Sequence, residues 1–168
     1  GVGLYRTEFL YLKSKQLPSE QEHFEIYKEI LSRLNPAPVV IRTLDIGGDK
    51  ILPDSHYTES LNPALGLRAI RFSLRERRIF RTQLRALLRA SPFGKLKILI
   101  PMITEVEEIR QVKKILEDVK FEQEEVLCLP CIKSPIQFIP VKSIFSNLVS
   151  DFVKDFAYYS RCCSCGLS

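Results

Sequence analysis

The sequence predicts an α/β protein whose strands run parallel to one another. Three short apolar runs typical of strands lie near residues 2–6, 39–42 and 97–102, and longer segments with helical spacing separate them. This alternation is typical of βαβ units, in which a helix returns the chain to start a parallel neighbour. With 168 residues, 45% of them hydrophobic and 27% charged, the composition is that of one globular domain.

The first predicted strand ends in an arginine. Val2 and Leu4 alternate with glycines, and Arg6 follows them directly. A lone arginine of this kind most often forms a surface salt bridge. The second predicted strand also ends in an arginine, Arg42, so both side chains are expected at one edge of the sheet. This repetition favours a shared site for an anion.

A capped helix is predicted after the first strand. Ser19 is the N-cap candidate, and Glu22 stands three residues further on, which is the spacing of a capping box. We place His23 on the polar side of this helix, exposed to solvent and not catalytic. Two prolines in residues 35–38 end the helix and lead into the second strand. The predicted apolar face consists of Phe24, Tyr27, Ile30, Leu31 and Leu34.

The second strand leads into a charged turn that contains glycine. The β-branched residues 39–41 are followed by Arg42, Asp45 and the pair Gly47-Gly48. Parallel sheets carry functional side chains at the carboxyl ends of their strands, and glycine lets the backbone approach a ligand closely. The alternative is a solvated turn in which Arg42 and Asp45 pair with each other. The pattern alone leaves these two interpretations equally open.

Residues 65–90 are predicted to be helical, with a break near Arg75. Leu84, Leu87 and Leu88 form an apolar face, whereas the basic face is predicted to be mostly solvated. With no aromatic stacking set beside this basic face, we predict no nucleic-acid partner. The formal net charge of +5 indicates acidic ligands only in a general way. The basic face consists of Arg71, Arg75, Arg77, Arg78, Arg81, Arg85 and Arg89.

The third strand is predicted from a continuous apolar run at residues 96–102, which is typical of a buried parallel strand. A turn at residues 91–94 precedes it. Thr104 is expected to cap the following helix, with Glu107 three residues on as the capping-box acid. The predicted core face of that helix consists of Val106, Ile109, Val112, Ile115, Leu116 and Val119.

Four segments of the chain closely resemble one enzyme family. They are GVGLYRTEFL (1–10), IRTLDIGGDK (41–50), LNPALGLRAIRFSL (61–74) and FRTQLRALLRASPFGKLKILIPMIT (80–104). In this order they resemble the phosphoenolpyruvate-binding barrel of enzyme I of the bacterial sugar phosphotransferase system, the phosphoenolpyruvate–protein phosphotransferase. The IGGDK ending distinguishes this family from pyruvate phosphate dikinase and phosphoenolpyruvate synthase, which share the barrel. The resemblance covers roughly residues 1–119 and then fades.

The resemblance implies a partial TIM (β/α) barrel, since a complete one needs about 200 residues at the least. We expect residues 1–120 to form a partial phosphoenolpyruvate-binding barrel and residues 121–168 a divergent tail, irregular or poorly packed. The family transfers the phosphoryl group of phosphoenolpyruvate to a histidine for sugar transport. By resemblance, Arg6 and Arg42 hold the phosphate and Arg68 assists. Arginine suits this role because its planar fork makes paired bonds to phosphate or carboxylate.

The resemblance also implies Mg²⁺ as a cofactor, the histidine phosphocarrier protein as a partner, and a homodimer. The Mg²⁺ ligands are not found in this sequence, because Lys133 stands where the family has a metal-binding glutamate, and Mg²⁺ takes oxygen ligands. The family's phosphorylated histidine lies in a separate preceding domain, so we interpret His56 as a surface loop residue. Neither a catalytic residue nor a metal ligand is assigned.

No apolar run reaches the roughly 20 residues that span a bilayer, and no secretory signal is visible. We therefore expect a cytoplasmic protein without membrane insertion. The five cysteines have spacings compatible with zinc, but the first pair falls in or beside the strand-like segment 126–129, so we assign no zinc site. These cysteines are Cys128, Cys131, Cys162, Cys163 and Cys165.

The two ends of the chain suggest a piece of a longer protein. The sequence begins without an initiator methionine, and its tail departs from the family's wording. We expect either a truncated chain or a frame-disrupted gene product, inactive on its own. The alternative function is accordingly a catalytically inactive remnant that acts at most as an anion-binding or dimerisation module.

Overall fold

A computed structural model of the protein describes residues 2–12, 16–47, 66–126 and 137–140. Four strands form one sheet in the order β1-β2-β3-β4, and all three pairings are parallel. The predicted α/β class with parallel strands is confirmed. The strands are β1 (Val2–Arg6), β2 (Val39–Arg42), β3 (Leu96–Ile100) and β4 (Gln137–Pro140).

Five α-helices connect or flank these strands in the described part of the chain. The break predicted near Arg75 in the helical segment 65–90 is found at Glu76, which separates α3 from α4. The last helix continues to Val126, so that residue ends a helix and does not belong to the strand-like segment predicted there. The helices are α1 (Glu8–Leu12), α2 (Glu20–Leu34), α3 (Ile70–Arg75), α4 (Arg77–Ala90) and α5 (Val106–Val126).

The sheet buries one face against the helices. Along β2, Val39 and Ile41 are fully buried, whereas Val40 and Arg42 are only partly buried. Successive side chains of a strand point to opposite faces, so Arg42 lies on the face that points away from the helical layer. β3 alternates in the same way. The core between the sheet and the helices includes Tyr27, Leu31, Leu84, Leu87, Leu116 and Val119.

Helix α4 lies between α2 and α5 and packs against both. Arg81 and Arg85 form ion pairs with Glu122 of α5, and Arg89 pairs with Glu20 of α2 at 2.7 Å. The prediction of a mostly solvated basic face is therefore wrong for these three arginines, because their side chains cover the joints between neighbouring helices. Pairing with Arg85 and Arg81 holds the pKa of Glu122 below its usual range.

The caps of two helices can be compared with their predictions. Ser19 caps α2, and its hydroxyl and Glu22 form the predicted capping box. At α5 the acid is Glu108 and not Glu107, since the Glu108 carboxylate accepts the backbone N–H groups of Thr104 and Glu105 at 2.7 and 3.1 Å. A cap at Thr104 requires the helix to begin at residue 105, but it begins one residue later, at Val106. The third helical residue is therefore Glu108.

The pairing of β1 with β2 contains one irregularity. Val2 lies opposite Val39, but Tyr5 lies opposite Ile41, so β1 uses one residue more than β2 over the same length. Beyond this shift the two strands are in step again, and Arg6 lies opposite Arg42. The irregularity falls at Gly3 and Leu4, where a side chain added at Gly3 would meet nothing within 4 Å.

Several predictions fall outside the described residues. They concern the turn after Gly47, His56, Lys133, the cysteines, and the tail at residues 127–136 and 141–168. Residues 121–126 continue α5 and residues 137–140 form β4, so the prediction of an irregular tail is wrong for these two parts. None of the helices in the described ranges combines the length and the apolar composition that a membrane span requires.

Candidate anion-binding site

Arg6 and Arg42 end neighbouring strands at the same level. They are direct partners in the parallel ladder, and each is the last residue of its strand. The carboxyl ends of parallel strands form the edge of the sheet at which ligands bind in this class of fold. The expectation that the two arginines leave successive strands at one level is therefore met by the geometry.

Arg68 reaches the same edge from the segment before α3. It forms an isolated antiparallel bridge with Gly47, which follows β2 by five residues. The next residue, Ala69, is fully buried and has a φ of 52°, a conformation that L-amino acids rarely adopt. This strained residue separates Arg68 from Ile70, the first residue of α3.

Two carboxylates link the three arginines. Glu8, the first residue of α1, pairs with Arg42 and lies 3.8 Å from Arg6. Asp45 forms an ion pair with Arg42 at 3.2 Å and accepts a hydrogen bond from Nε of Arg68 at 2.8 Å. The pairing of Arg42 with Asp45 that sequence analysis left as an alternative is thus present, but within a larger set. We call these five residues the arginine cluster.

The arginine cluster has a buried centre and two accessible flanks. The Arg42 side chain is 17% exposed, whereas those of Arg6 and Arg68 are 58% and 37% exposed. With three cations and two carboxylates the cluster carries a formal charge of +1. Nε of Arg42 is buried and has no hydrogen-bond partner among the residues the structure describes. The accessible cations that the cluster offers an anion are therefore Arg6 and Arg68, each next to a carboxylate that orients it.

A buried polar network supports the cluster from the helical side. Gln83 of α4 donates to the hydroxyls of Thr7 and Tyr27 at 3.1 and 3.2 Å, and accepts the backbone N–H of Leu44 at 3.1 Å. The Thr7 hydroxyl donates to the carbonyl oxygen of Arg42 at 2.9 Å. All of these hydrogen bonds join segments that are distant in sequence, so they fix the relative positions of β1, the turn after β2, and two helices.

His23 belongs to the same network, and its predicted exposure is wrong. The ring is buried, and its Nδ1 lies 3.1 Å from the Tyr27 hydroxyl. The same hydroxyl accepts a hydrogen bond from Nε2 of Gln83. Burial lowers the pKa of His23 to about 4, although the negative charge of Glu22 acts in the opposite direction. The spacing of four residues between His23, Tyr27 and Leu31 was a sequence signal for this burial.

The described carboxylates do not form a site for Mg²⁺. Glu8 and Asp45 are the two acids at the strand ends, and both face guanidinium groups. Within the described ranges, no group of three or more histidine, cysteine, aspartate or glutamate residues is arranged to hold a metal ion. We therefore derive no step through a metal from these residues.

Sequence analysis named the three arginines and the pairing of Arg42 with Asp45, but it missed Glu8, Gln83 and Thr7. Glu8 follows Arg6 by only two positions, and its negative charge next to a strand end was a usable signal. Gln83 was a second signal, because it occupies the apolar stripe of α4 with Phe80, Leu84 and Leu87. Thr7 carried no such mark, since a threonine at a strand end is ordinary.

The candidate site lies at the carboxyl edge of a parallel sheet, the edge at which α/β proteins of this class bind their ligands. One family of known proteins matches this chain. The family described as "PEP-utilising enzyme, PEP-binding domain" matches residues 1–136. The chain therefore belongs to this family.

Its curated relatives are named phosphoenolpyruvate-protein phosphotransferase. The protein from Latilactobacillus sakei is 61% identical over 119 residues, and that from Bacillus subtilis (strain 168) is 58% identical over 119 residues; each match covers 71% of this chain and 21% of the relative. The protein from Priestia megaterium is 50% identical over 163 residues, which is 95% of this chain and 28% of the relative. The chain thus spans between about a fifth and just over a quarter of these relatives. Their names do not favour the alternative of an inactive remnant.

Proposed function

We propose that this chain contributes part of the phosphoenolpyruvate site of a phosphoenolpyruvate–protein phosphotransferase, which transfers the phosphoryl group of phosphoenolpyruvate to a histidine for sugar transport. One observation carries the proposal: Arg6, Arg42 and Arg68 lie at one edge of the sheet, joined through Glu8 and Asp45. The relatives bearing that name are the second support.

The sheet is proposed to be part of a (β/α) barrel. Its four strands pair in the order in which they occur along the chain, without the change of order that marks a doubly wound open sheet. The face opposite the helices carries the partly buried Val40 and Leu99 beside Arg42. In a barrel this face is the interior, and the remaining strands would cover it.

Within the site, Arg6 and Arg42 are proposed to bind the phosphate, with Arg68 assisting. A phosphoryl group spreads its charge over three oxygens during transfer, and fixed guanidinium groups stabilise that charge because they are oriented before the reaction. Glu8 and Asp45 hold the guanidinium planes. Nε of Arg42 is buried, so the substrate can reach this side chain only through its terminal N–H groups, whereas Arg6 and Arg68 are the more exposed contacts.

Other parts of the proposal follow from the family. They are Mg²⁺ as the cofactor, the histidine phosphocarrier protein as the partner, a homodimer, and a cytoplasmic location. We also propose that the phosphoenolpyruvate-binding part is residues 1–120 and that residues 121–168 form a divergent tail.

The proposal predicts that Arg6→Ala weakens phosphoenolpyruvate binding while Arg33→Ala does not. Both arginines are exposed and each faces one carboxylate, but Arg33 pairs only with Glu29 on the surface of α2 at 2.7 Å. We expect Arg6→Ala to raise the Kd about tenfold, because a hydrogen bond to a charged group contributes roughly 1.5 kcal/mol. Calorimetric titration at low and high salt measures this, and affinity should fall as salt rises.

Pyruvate is the matched ligand, because it keeps the carboxylate and lacks the phosphate. If Arg6 holds the phosphate, Arg6→Ala should weaken phosphoenolpyruvate binding more than pyruvate binding. The same comparison with Arg42→Ala tests the buried arginine. Equal affinities of the unchanged protein, Arg6→Ala and Arg33→Ala for phosphoenolpyruvate would show that the arginine cluster is not the site.

A further inference from the structure

We infer that Gln83 is a positioning residue of the anion site, which holds Arg6 and Arg42 at one level through Thr7. The identity of the anion rests on the proposed function, whereas the positioning itself rests on hydrogen bonds within this chain. Gln83 contacts no guanidinium group in the hydrogen bonds described here. Its effect is transmitted through the backbone segments that carry the arginines.

The amide of Gln83 is fully buried, and both of its polar atoms are bonded. Nε2 donates to Thr7 Oγ1 and to the Tyr27 hydroxyl, and Oε1 accepts from the backbone N–H of Leu44. A backbone N–H can only donate, so the contact with Leu44 fixes which end of the amide is the oxygen. The side chain therefore has one orientation that satisfies all its neighbours.

Two of these three partners, Thr7 and Leu44, are close in the chain to an arginine of the cluster. Thr7 directly follows Arg6, and Leu44 follows Arg42 by two residues. Thr7 Oγ1 in turn donates a hydrogen bond to the carbonyl oxygen of Arg42 at 2.9 Å. One amide thus ties the residue after the first arginine to the carbonyl of the second and to the turn beyond it.

Packing alone does not account for a glutamine at this position. It lies in the apolar stripe of α4, where a side chain without polar atoms would avoid the cost of burying an amide. That cost is offset only when the buried polar atoms are hydrogen-bonded. Gln123 of α5 provides the contrast: its Nε2 donates to the carbonyl of Arg85 at 3.0 Å, but its Oε1 has no partner among the described residues.

The test compares Gln83→Met with Gln123→Met, since both substitutions replace a buried amide by an unbranched apolar chain. The first readout is the NMR signal of the Arg42 Nε–Hε group without ligand, and the second is the Kd for phosphoenolpyruvate. We expect Gln83→Met to shift or broaden the Arg42 signal and to raise the Kd about tenfold, the change that corresponds to about 1.4 kcal/mol. Gln123→Met should change neither readout.

Thr7 provides the second pair of variants. Thr7→Val removes the hydroxyl at nearly constant volume and should reproduce both effects, whereas Thr7→Ser keeps the hydroxyl and should restore the Arg42 signal. This pair decides the matter if Gln83→Met does not fold. If the unchanged protein does not bind phosphoenolpyruvate, the proposed function fails, but the Arg42 signal still tests the positioning. Equal effects of Gln83→Met and Gln123→Met, or an unchanged Arg42 signal in Gln83→Met and Thr7→Val, would overturn the inference.

Discussion

At the scale of single residues, a carboxylate beside a guanidinium group both orients it and competes for its N–H donors. Arg42 is mostly buried, and a buried charge without a partner is strongly destabilising. Glu8 and Asp45 supply that partner on two sides. The competition is weakest at Arg6, which is more than half exposed and lies 3.8 Å from Glu8. Of the three arginines, Arg6 is therefore the one whose N–H groups are most available to an entering anion.

Sequence could identify the arginines because a charge that directly follows an apolar strand is visible in a linear pattern. It could not identify Gln83 as their support, because the contact joins positions 76 residues apart and depends on how α4 packs on the sheet. His23 was placed wrongly for a different reason. It was assigned to the polar side of α2, but its spacing to Tyr27 puts it on the buried stripe of that helix.

The buried His23 predicts a dependence of stability on pH. Its pKa in the folded protein is about 4, below the ordinary 6.5 of an exposed histidine, so the unfolded chain binds the proton more readily. The stability contribution is present above pH 6.5 and is lost as the pH falls towards 4. We expect a total loss of up to about 3 kcal/mol from this group.

Urea unfolding of the unchanged protein and of His23→Gln between pH 7 and 5 measures this effect. In that interval His23→Gln should lose less stability than the unchanged protein, since glutamine does not titrate. His56 is present in both proteins, so its titration cancels in the comparison. Parallel stability curves for the two proteins would contradict the prediction.

At the scale of elements, α4 is the helix on which the others depend. It packs against α2 and α5, carries the ion-paired Arg81, Arg85 and Arg89, and supplies Gln83 to the strand ends. Its role was only partly visible in the sequence. The leucine stripe predicted its buried face, but a row of arginines has the same pattern whether it is solvated or paired with acids on neighbouring helices.

The chain approaches α2 closely just before β3. A Cβ atom added at Gly94 would lie 2.7 Å from the backbone carbonyl oxygen of Leu31, a contact that neither segment can relieve by rotating a side chain. The φ of Gly94 is 174°, which any residue adopts, so the predicted effect arises from space alone. We expect Gly94→Ala to destabilise the protein by about 1–3 kcal/mol, the usual cost of overpacking.

Gly3→Ala is the control for this prediction, because nothing lies within 4 Å of the added methyl group. Its effect on stability should stay within about 0.5 kcal/mol, as for most surface substitutions. Thermal or urea unfolding of the two variants decides the matter. A Gly94→Ala protein as stable as Gly3→Ala would mean that α2 and the turn before β3 are further apart.

At the scale of the whole molecule, the sheet is most protected at its centre. β2 lies between β1 and β3, and its alternate residues Val39 and Ile41 are fully buried. β1 is an edge strand of the described sheet, and it is followed by α1 with the exposed Phe9 and Leu12. The overall α/β order was predictable because short apolar runs alternate with segments of helical spacing. β4 was not predictable, since its sequence carries no clear strand pattern.

We therefore predict different amide exchange at the centre and at the edge. The Val39 and Thr43 amides, which donate to carbonyls of Lys95 and Leu99 at 2.9 and 3.0 Å, should exchange only by global unfolding. The Leu10 amide, which donates to the carbonyl oxygen of Thr7 at 3.1 Å in the first turn of α1, should exchange through local opening. NMR-detected hydrogen exchange at increasing urea measures both. Equal opening free energies at Val39 and Leu10 would contradict the prediction.

The one-residue irregularity in β1 means that the position of Arg6 along the sheet depends on the pairs at the end of the strand and not on those at its start. Between Val2 and Tyr5 the strand has a residue to spare, and from Tyr5 onwards it keeps step with β2. The pairs of Tyr5 with Ile41 and of Arg6 with Arg42 therefore fix Arg6 beside Arg42. The number of residues before Tyr5 does not affect this alignment. Because β1 has one extra residue before Tyr5, a shift in the register of its first residues need not move Arg6 away from Arg42.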